Sequence, residues 1–233
     1  MTVELFKRCI AESIGTGFLV FFGTAAAVGA TLLGLTGLAD WLAIALAFAL
    51  AAMMAIYGIG RISGAHINPA VSIGMLAIGR MKVGECVGYI IAQLIGAAVA
   101  SVLVLTAFGQ SAVTIASLGA TTPGTTLGAA FIVEIIATFA LLTTVMAVID
   151  KRNNLGNFGG MAIALTIGGA ILSIGTISGG SLNPARTFGP YIIDLLAGGT
   201  NYFAFYPIYI FGPIIGALAA VFLYDWLNAN DNE

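Results

Sequence analysis

Charge is what this chain has least of. Only 8% of its 233 residues are charged, against about 25% in soluble globular domains, so water cannot solvate such a surface on all sides. The formal net charge is −2 and no block of like charge occurs, which excludes nucleic acid and acidic macromolecules as partners. Cysteine is nearly missing. Cys9 and Cys86 have no metal-type spacing and read as inert thiols rather than a disulfide or a zinc site. Histidine occurs once, as His66. With no cluster of metal-ligating residues and no nucleophile elbow, an enzyme is not expected.

What the chain has instead is apolar length: 60% of its residues are hydrophobic. The uncharged runs 13–39, 41–60, 86–133, 153–185 and 195–224 each reach the roughly 20 residues that cross hydrocarbon as a helix, and the longer ones must hold more than one pass. Six full spans are expected near 10–33, 40–60, 84–107, 126–149, 158–177 and 203–226. Glycines four apart at Gly84/Gly88, Gly156/Gly160 and Gly212/Gly216 suit close helix approach in a membrane. Seven of the eight basic residues, Lys7, Arg8, Arg61, Arg80, Lys82, Lys151 and Arg152, fall near the amino end or in two connections, which the positive-inside rule puts in the cytoplasm. The opposite connections, 34–39 and 109–125, hold no Lys or Arg, so both termini are expected on the cytoplasmic side of a cell membrane. The apolar stretch after Lys7 and Arg8 runs past the length of a signal-peptide core and lacks a convincing cleavage site, so it reads as the first span.

An internal repeat organises the chain. Residues 62–74, ISGAHINPAVSIG, are echoed at 177–189 by ISGGSLNPARTFG, with seven of thirteen positions identical. Glu12 and Thr16 match Glu134 and Thr138, and the run YIIAQLIGA at 89–97 matches YIFGPIIGA at 209–217. The chain thus reads as one membrane domain of two repeats, about 1–115 and 116–233. Three spans per repeat is an odd number, so the second repeat enters from the opposite face and the repeats are inverted. The repeated segment is too short to cross: the dozen residues from Asn68 reach about 18 Å as helix against a core of about 30 Å. Asn68 and Asn183 suit the N-cap, Pro69 and Pro184 the first helical position, with Ala70 and Ala185 following. Each segment therefore reads as a loop and then a half-helix, one descending from each face, with the caps meeting near the midplane. Irregular backbone at that depth survives only inside protein or beside water.

These residues point to a narrow pore for neutral molecules. The carbonyls of 64–67 and 179–182 are expected to be free to accept hydrogen bonds from a file of water. The Asn68 and Asn183 amides would donate to a passing oxygen while their own oxygens cap the helices, which interrupts a proton wire. Both half-helices aim positive ends at the same place. Arg186, the one basic residue outside the cytoplasmic groups, is costly in a membrane unless it faces a wet cavity. Glu12 and Glu134 are expected to accept backbone donors from the re-entrant loops, as support rather than chemistry. His66 beside Ser63 invites a hydrolase reading, but the second repeat keeps Ser178 and puts Ser181 in place of the histidine, so a structural role is favoured over catalysis or pH gating.

With its two Asn-Pro-Ala boxes, the second followed by Arg186, the chain resembles the aquaporins, the major intrinsic protein family, along nearly its whole length, and in particular their archaeal and bacterial members. The resemblance implies an all-α membrane protein of six transmembrane helices and two re-entrant half-helices, a homotetramer with one pore per subunit, and no cofactor. It also implies a selectivity constriction at Phe48, Ile171, Gly180 and Arg186. Strict water channels of the family usually carry His where Ile171 stands and often Cys where Gly180 stands. Glycerol-conducting members usually have Asp where Thr187 stands and Trp where Phe48 stands. The pattern here is intermediate, so water conduction with weaker passage of glycerol or small dissolved gases is expected. A glycerol facilitator is the nearest alternative. An ion-coupled transporter also uses inverted repeats, but Glu12 and Glu134 lie in helices rather than in the broken segments, and no filter-like run for an ion channel is present.

Overall fold

A computed structural model describes residues 2–153 and 155–229. Nine α-helices form among them: α1 (Val3–Leu32), α2 (Leu38–Ser63), α3 (Pro69–Ala77), α4 (Val83–Phe108), α5 (Ser111–Thr114), α6 (Leu127–Ile149), α7 (Gly159–Ser178), α8 (Pro184–Leu196) and α9 (Tyr206–Leu227). Among the described residues six helices are long and apolar enough to cross a membrane: α1, α2, α4, α6, α7 and α9. Their bounds follow the expected spans except at the start of α1. That helix begins at Val3, earlier than 10, because the Thr2 hydroxyl caps it by accepting from the Leu5 N–H at 3.2 Å, a satisfied N-cap.

The polarity of the molecule is reversed relative to a soluble protein. Large apolar side chains four residues apart, such as Phe18/Phe22, Leu46/Leu50, Ile91/Ile95 and Ile132/Ile136, are exposed on the outer faces, while Glu12, Gln93, Glu134, Asn68, Asn183 and Arg186 are buried. Residues four apart share one helix face, so each outer face is a continuous apolar stripe. Only hydrocarbon solvates such a shell, and the protein is a multi-pass membrane protein.

Close helix packing runs through two glycines in matching places. A methyl group on Gly96 of α4 would collide with the Ser13 carbonyl of α1, and one on Gly216 of α9 would collide with the Ile135 carbonyl of α6. Gly212 adds a second close point against Glu134 Cβ at 3.0 Å. The other expected glycine pairs are only half used. Gly88 meets Cys9 Sγ at 3.1 Å and Gly160 meets Ile56 and Tyr57, whereas Gly84 and Gly156 face nothing within 4 Å. Four-residue spacing is a necessary condition for this packing, but which side of the helix a pair occupies is decided by the neighbours.

The two repeated segments form short helices. With nine residues in α3 and thirteen in α8, at about 1.5 Å per residue they reach about 14 and 20 Å, less than the hydrocarbon thickness. α3 stops at Ala77, sooner than the dozen residues expected, and the chain turns at Gly79, whose φ is +71°.

Three of the basic residues near helix ends, Arg8, Arg80 and Arg152, stand beside carboxylates. Arg8 pairs with Glu85 at 2.6 Å and donates to the Tyr89 hydroxyl at 2.8 Å. Arg152 pairs with Asp150 at 2.7 Å, and Tyr224 of α9 donates to the same carboxylate at 3.0 Å. Arg80 and Asp225 are 4.0 Å apart.

Candidate functional site

The loops that lead into α3 and α8 are unusual backbone, held in place by a buried carboxylate each. In the first, Gly64, Ala65 and Ile67 have φ of +90°, +49° and +46°. In the second, Gly179, Gly180 and Leu182 have +79°, +60° and +57°. Left-handed conformations cost a non-glycine residue roughly 1–2 kcal/mol, and they turn successive N–H groups toward one point. Glu12 occupies that point in the first loop: Oε1 accepts from the Ser63 hydroxyl at 2.6 Å and the His66 N–H at 2.9 Å, and Oε2 accepts from the Ile67 N–H at 2.6 Å and the Gln93 amide at 2.8 Å. Glu134 does the same in the second, accepting from the Ser178 hydroxyl at 2.7 Å and from the N–H groups of Ser181 and Leu182 at 2.8 and 2.7 Å. Charge-assisted bonds of this kind are roughly twice as strong as neutral ones.

The two half-helices begin against each other. Asn68 Oδ1 accepts from the Ala70 N–H at 2.9 Å, and Asn183 Oδ1 accepts from those of Ala185 and Arg186 at 2.9 and 3.2 Å. Each amide also donates across the repeat: Asn68 Nδ2 to the Leu182 carbonyl and Asn183 Nδ2 to the Ile67 carbonyl, both at 2.8 Å. Two expectations change here. The Ile67 and Leu182 carbonyls are not free, because each satisfies the opposite asparagine. Each amide has two N–H groups, and the cross-bond takes one, leaving one without a protein acceptor among the described residues. Pro69 and Pro184 stand at the first helical position and lose no hydrogen bond there.

A cavity of about 210 Å³ lies beside this junction. One wall is aliphatic: Leu141, Val145 and Ile149 of α6 and Ile163, Ile167 and Ile171 of α7. In each trio the residues are four apart, so each is a stripe about 12 Å long. The other wall is the irregular backbone of 64–68 and 181–183, with Arg186. The carbonyls of Gly64, Ala65 and His66 receive no protein donor among the described residues.

Toward the far end, the Arg186 guanidinium carbon sits 4.6 Å from the centre of the Phe48 ring, within cation–π range. One terminal nitrogen of Arg186 donates to the Gly119 carbonyl at 2.9 Å. Ile171 lines the same space, and Gly180 lies against it: a methyl group on Gly180 would stand 3.1 Å from the Ile171 Cα. Phe48, Ile171, Gly180 and Arg186 thus come together from α2, α7, the second loop and α8. His66 also faces the cavity, its Nδ1 3.0 Å from the Ser72 hydroxyl and its ring packed edge-on to Tyr89.

Several residues of this assembly were not singled out from the sequence. Tyr89 and Tyr209 donate to the Ser63 and Ser178 carbonyls at 2.6 and 2.7 Å, fastening the end of each long helix before its loop. Their equivalence in the repeated run was the available signal. Thr187, named from the sequence only as the place where glycerol-conducting members carry Asp, joins Thr121 at 2.9 Å to Ser181 at 2.6 Å, and Ser72 joins His66 to Gln93 in the same place of the first repeat. Gly119 contributes only a backbone carbonyl from an unrepeated connection and leaves no trace in sequence.

Comparison with known proteins agrees with this geometry. The family model described as Major intrinsic protein matches residues 1–224. Aquaporin AqpM of Methanothermobacter thermautotrophicus is 47% identical over 97% of this chain and 99% of its own. Probable aquaporin AqpM of Archaeoglobus fulgidus is 49% identical over the same shares. Among solved structures, the aquaglyceroporin from Plasmodium falciparum superposes with a TM-score of 0.83 at 30% identity, covering 95% of this chain and 96% of that one. The cap-to-cap half-helices and their paired carboxylates therefore sit in a chain that belongs to the major intrinsic protein family, a family of membrane channels.

Proposed function

We propose that this protein is a passive channel for water, with weaker permeation of glycerol and other small neutral solutes, excluding ions and protons. The observation that carries the reading is the reciprocal pair of asparagine bonds at the junction of α3 and α8. They hold one spare N–H on each asparagine beside a cavity with carbonyl acceptors on one wall and only aliphatic groups on the other. A water moving along that wall accepts from the amides at the centre and donates to carbonyls on the approach, so its orientation reverses there and a proton cannot hop through.

The electrostatics act in the same direction. Each half-helix carries roughly half a positive charge at its start. About one unit in sum at ~4 Å, with an effective dielectric of about 20, repels a monovalent cation by roughly 4 kcal/mol, or about a thousandfold in rate. Neutral molecules feel little of this.

Phe48, Ile171, Gly180 and Arg186 are assigned as the selectivity constriction. Arg186 supplies donors and a second positive charge, Phe48 bounds the opening, and Ile171 with Gly180 leaves the remaining side apolar and wide. The likeness to an aquaglyceroporin fits the glycerol component, and the AqpM relatives fit the water component. The matched hydrogen bonds of Glu12 and Glu134 support two inverted repeats, 1–115 and 116–233. The basic groups near Lys7, Arg80 and Lys151 support cytoplasmic termini in a cell membrane, and membership of the family supports a homotetramer with one channel in each subunit.

Proteoliposomes containing the full chain are expected to shrink in an osmotic jump much faster than empty vesicles, to swell more slowly with glycerol, and to show both rates unchanged by ion gradients or voltage. A water rate equal to that of empty vesicles refutes the channel. A rate that follows an ion gradient favours a coupled transporter.

A further inference from the structure

Arg186 is held by a turn that is itself strained. Ser117, Leu118 and Gly119 are three consecutive residues with φ of +47°, +50° and +68°, and two of them carry side chains that disfavour this region. A turn of that shape relaxes unless its surroundings over-determine it. The Gly119 carbonyl, midway along the turn 117–121 that these residues open, accepts from Arg186 at 2.9 Å, so the shape of the turn decides where the guanidinium rests.

Both ends of the turn are gripped by tyrosines that pack on each other. Tyr202, in the connection before α9, exchanges a hydrogen bond with the Ser117 hydroxyl at 2.7 Å. Tyr191, on α8, donates to the Thr121 carbonyl at 2.6 Å. The two rings lie 5.6 Å apart, and Phe203, Tyr206 and Tyr209 surround Tyr191 within 6.4 Å. Tyr191 is fully buried. From the third side the turn abuts α1, where a Cβ at Gly119 would lie 3.1 Å from Thr24.

We infer that Tyr202 and Ser117, neither of which lines the cavity, act together with Tyr191 as a clamp that fixes the left-handed turn, aims the Gly119 carbonyl at Arg186, and thereby sets the size limit for solutes. This rests on the assignment of Arg186 to the constriction. Without the Tyr202 bond the turn unwinds toward ordinary φ, the Gly119 carbonyl leaves the guanidinium, and Arg186 swings away from its place over Phe48. Tyr202 and Ser117 are positioning residues: they touch no solute and act through Arg186.

The test is the ratio of glycerol to water permeability in proteoliposomes of the full chain. Tyr202→Phe and Ser117→Ala are each expected to raise the ratio about twofold to tenfold, the effect of losing one net hydrogen bond. The double variant should go no further, because both remove the same bond. Gln110→Ala loses a bond to the Ala197 carbonyl in a neighbouring connection and should leave the ratio unchanged, separating general loosening from loss of the clamp. Should Tyr202→Phe fail to fold, Ser117→Ala decides by itself, since it removes the bond and leaves the ring stack intact. Folded single variants with the wild-type ratio overturn the clamp, as does an additive double variant. A wild-type protein no faster to water than empty vesicles overturns the channel reading instead.

Discussion

Glu12 and Glu134 organise their loops by collecting N–H groups that nothing else in an apolar interior could satisfy. Glu134 has three donors and Glu12 four, the difference being Gln93, whose place in the second repeat is taken by Pro213. Removing such an acceptor strands buried N–H groups of strained backbone, which costs about 3 kcal/mol or more. Glu134→Ala is therefore expected to lower the unfolding temperature in detergent and to abolish water flux. Glu134→Gln, which keeps one acceptor oxygen, should lose distinctly less; a Glu134→Ala variant that melts and conducts like the wild type would count against the carboxylate as the organiser. Asp150 shows the opposite situation, in the connection beyond α6. Hydrogen bonds from the Arg152 side chain and backbone, and then from Tyr224, hold its carboxyl well below the usual carboxylate range. A depressed folded value means the contribution to stability is complete above the unfolded value of about 4 and fades as pH falls from there toward the folded one. Asp150→Asn should thus flatten the acid limb of a melting-temperature profile below about pH 4 while leaving neutral pH little changed, and an unaltered acid limb would remove Asp150 from the account.

At the scale of elements, the long helices are set by composition and their spacing by small residues. Two matching tight crossings are α1 with α4 at Gly96 and α6 with α9 at Gly216. Gly96→Leu should cost roughly 1–3 kcal/mol by overpacking against the Ser13 carbonyl, whereas Gly84→Ala, on a face with open space, should be neutral or stabilise by up to about 1 kcal/mol through helix propensity. Paired thermal unfolding curves of the two variants check this, and equal destabilisation would show that α1 and α4 do not depend on the Gly96 contact. The half-helices follow a different rule. Their starts are legible in sequence because Asn and Pro have one compatible arrangement at a helix N-terminus. Their ends are not, since α3 stops where Gly79 turns and α8 continues through Pro190 to Leu196.

For the whole molecule, the repeat in sequence becomes a repeat of hydrogen bonds: Glu to loop, Tyr to helix end, Asn across the junction. The duplicated partners are the part of the site most legible beforehand, because a residue that recurs in both halves signals a shared constraint. The unduplicated partners are the hidden part. Arg186 reaches a carbonyl of the 109–125 connection, which has no counterpart, and Thr121 bonds the Thr187 hydroxyl as Gln93 bonds that of Ser72 in the first repeat. The aliphatic wall of α6 and α7 was hidden for another reason: in helices with apolar residues on every side, no periodicity separates the stripe that faces the cavity from the one that faces lipid.

By itself the sequence determined that this chain lives in a membrane, that it crosses six times, that its halves are related, and where its two half-helices begin. Those are consequences of local chemistry: charge content, apolar run length, and the backbone demands of Asn-Pro. The tertiary structure alone decided which N–H of each asparagine is spent across the repeat and which stays available, which carbonyls remain open, and how a strained turn meets Arg186. These depend on the relative placement of groups about a hundred residues apart, and hydrogen bonding over a few ångströms has no signature along the chain until packing brings its partners together.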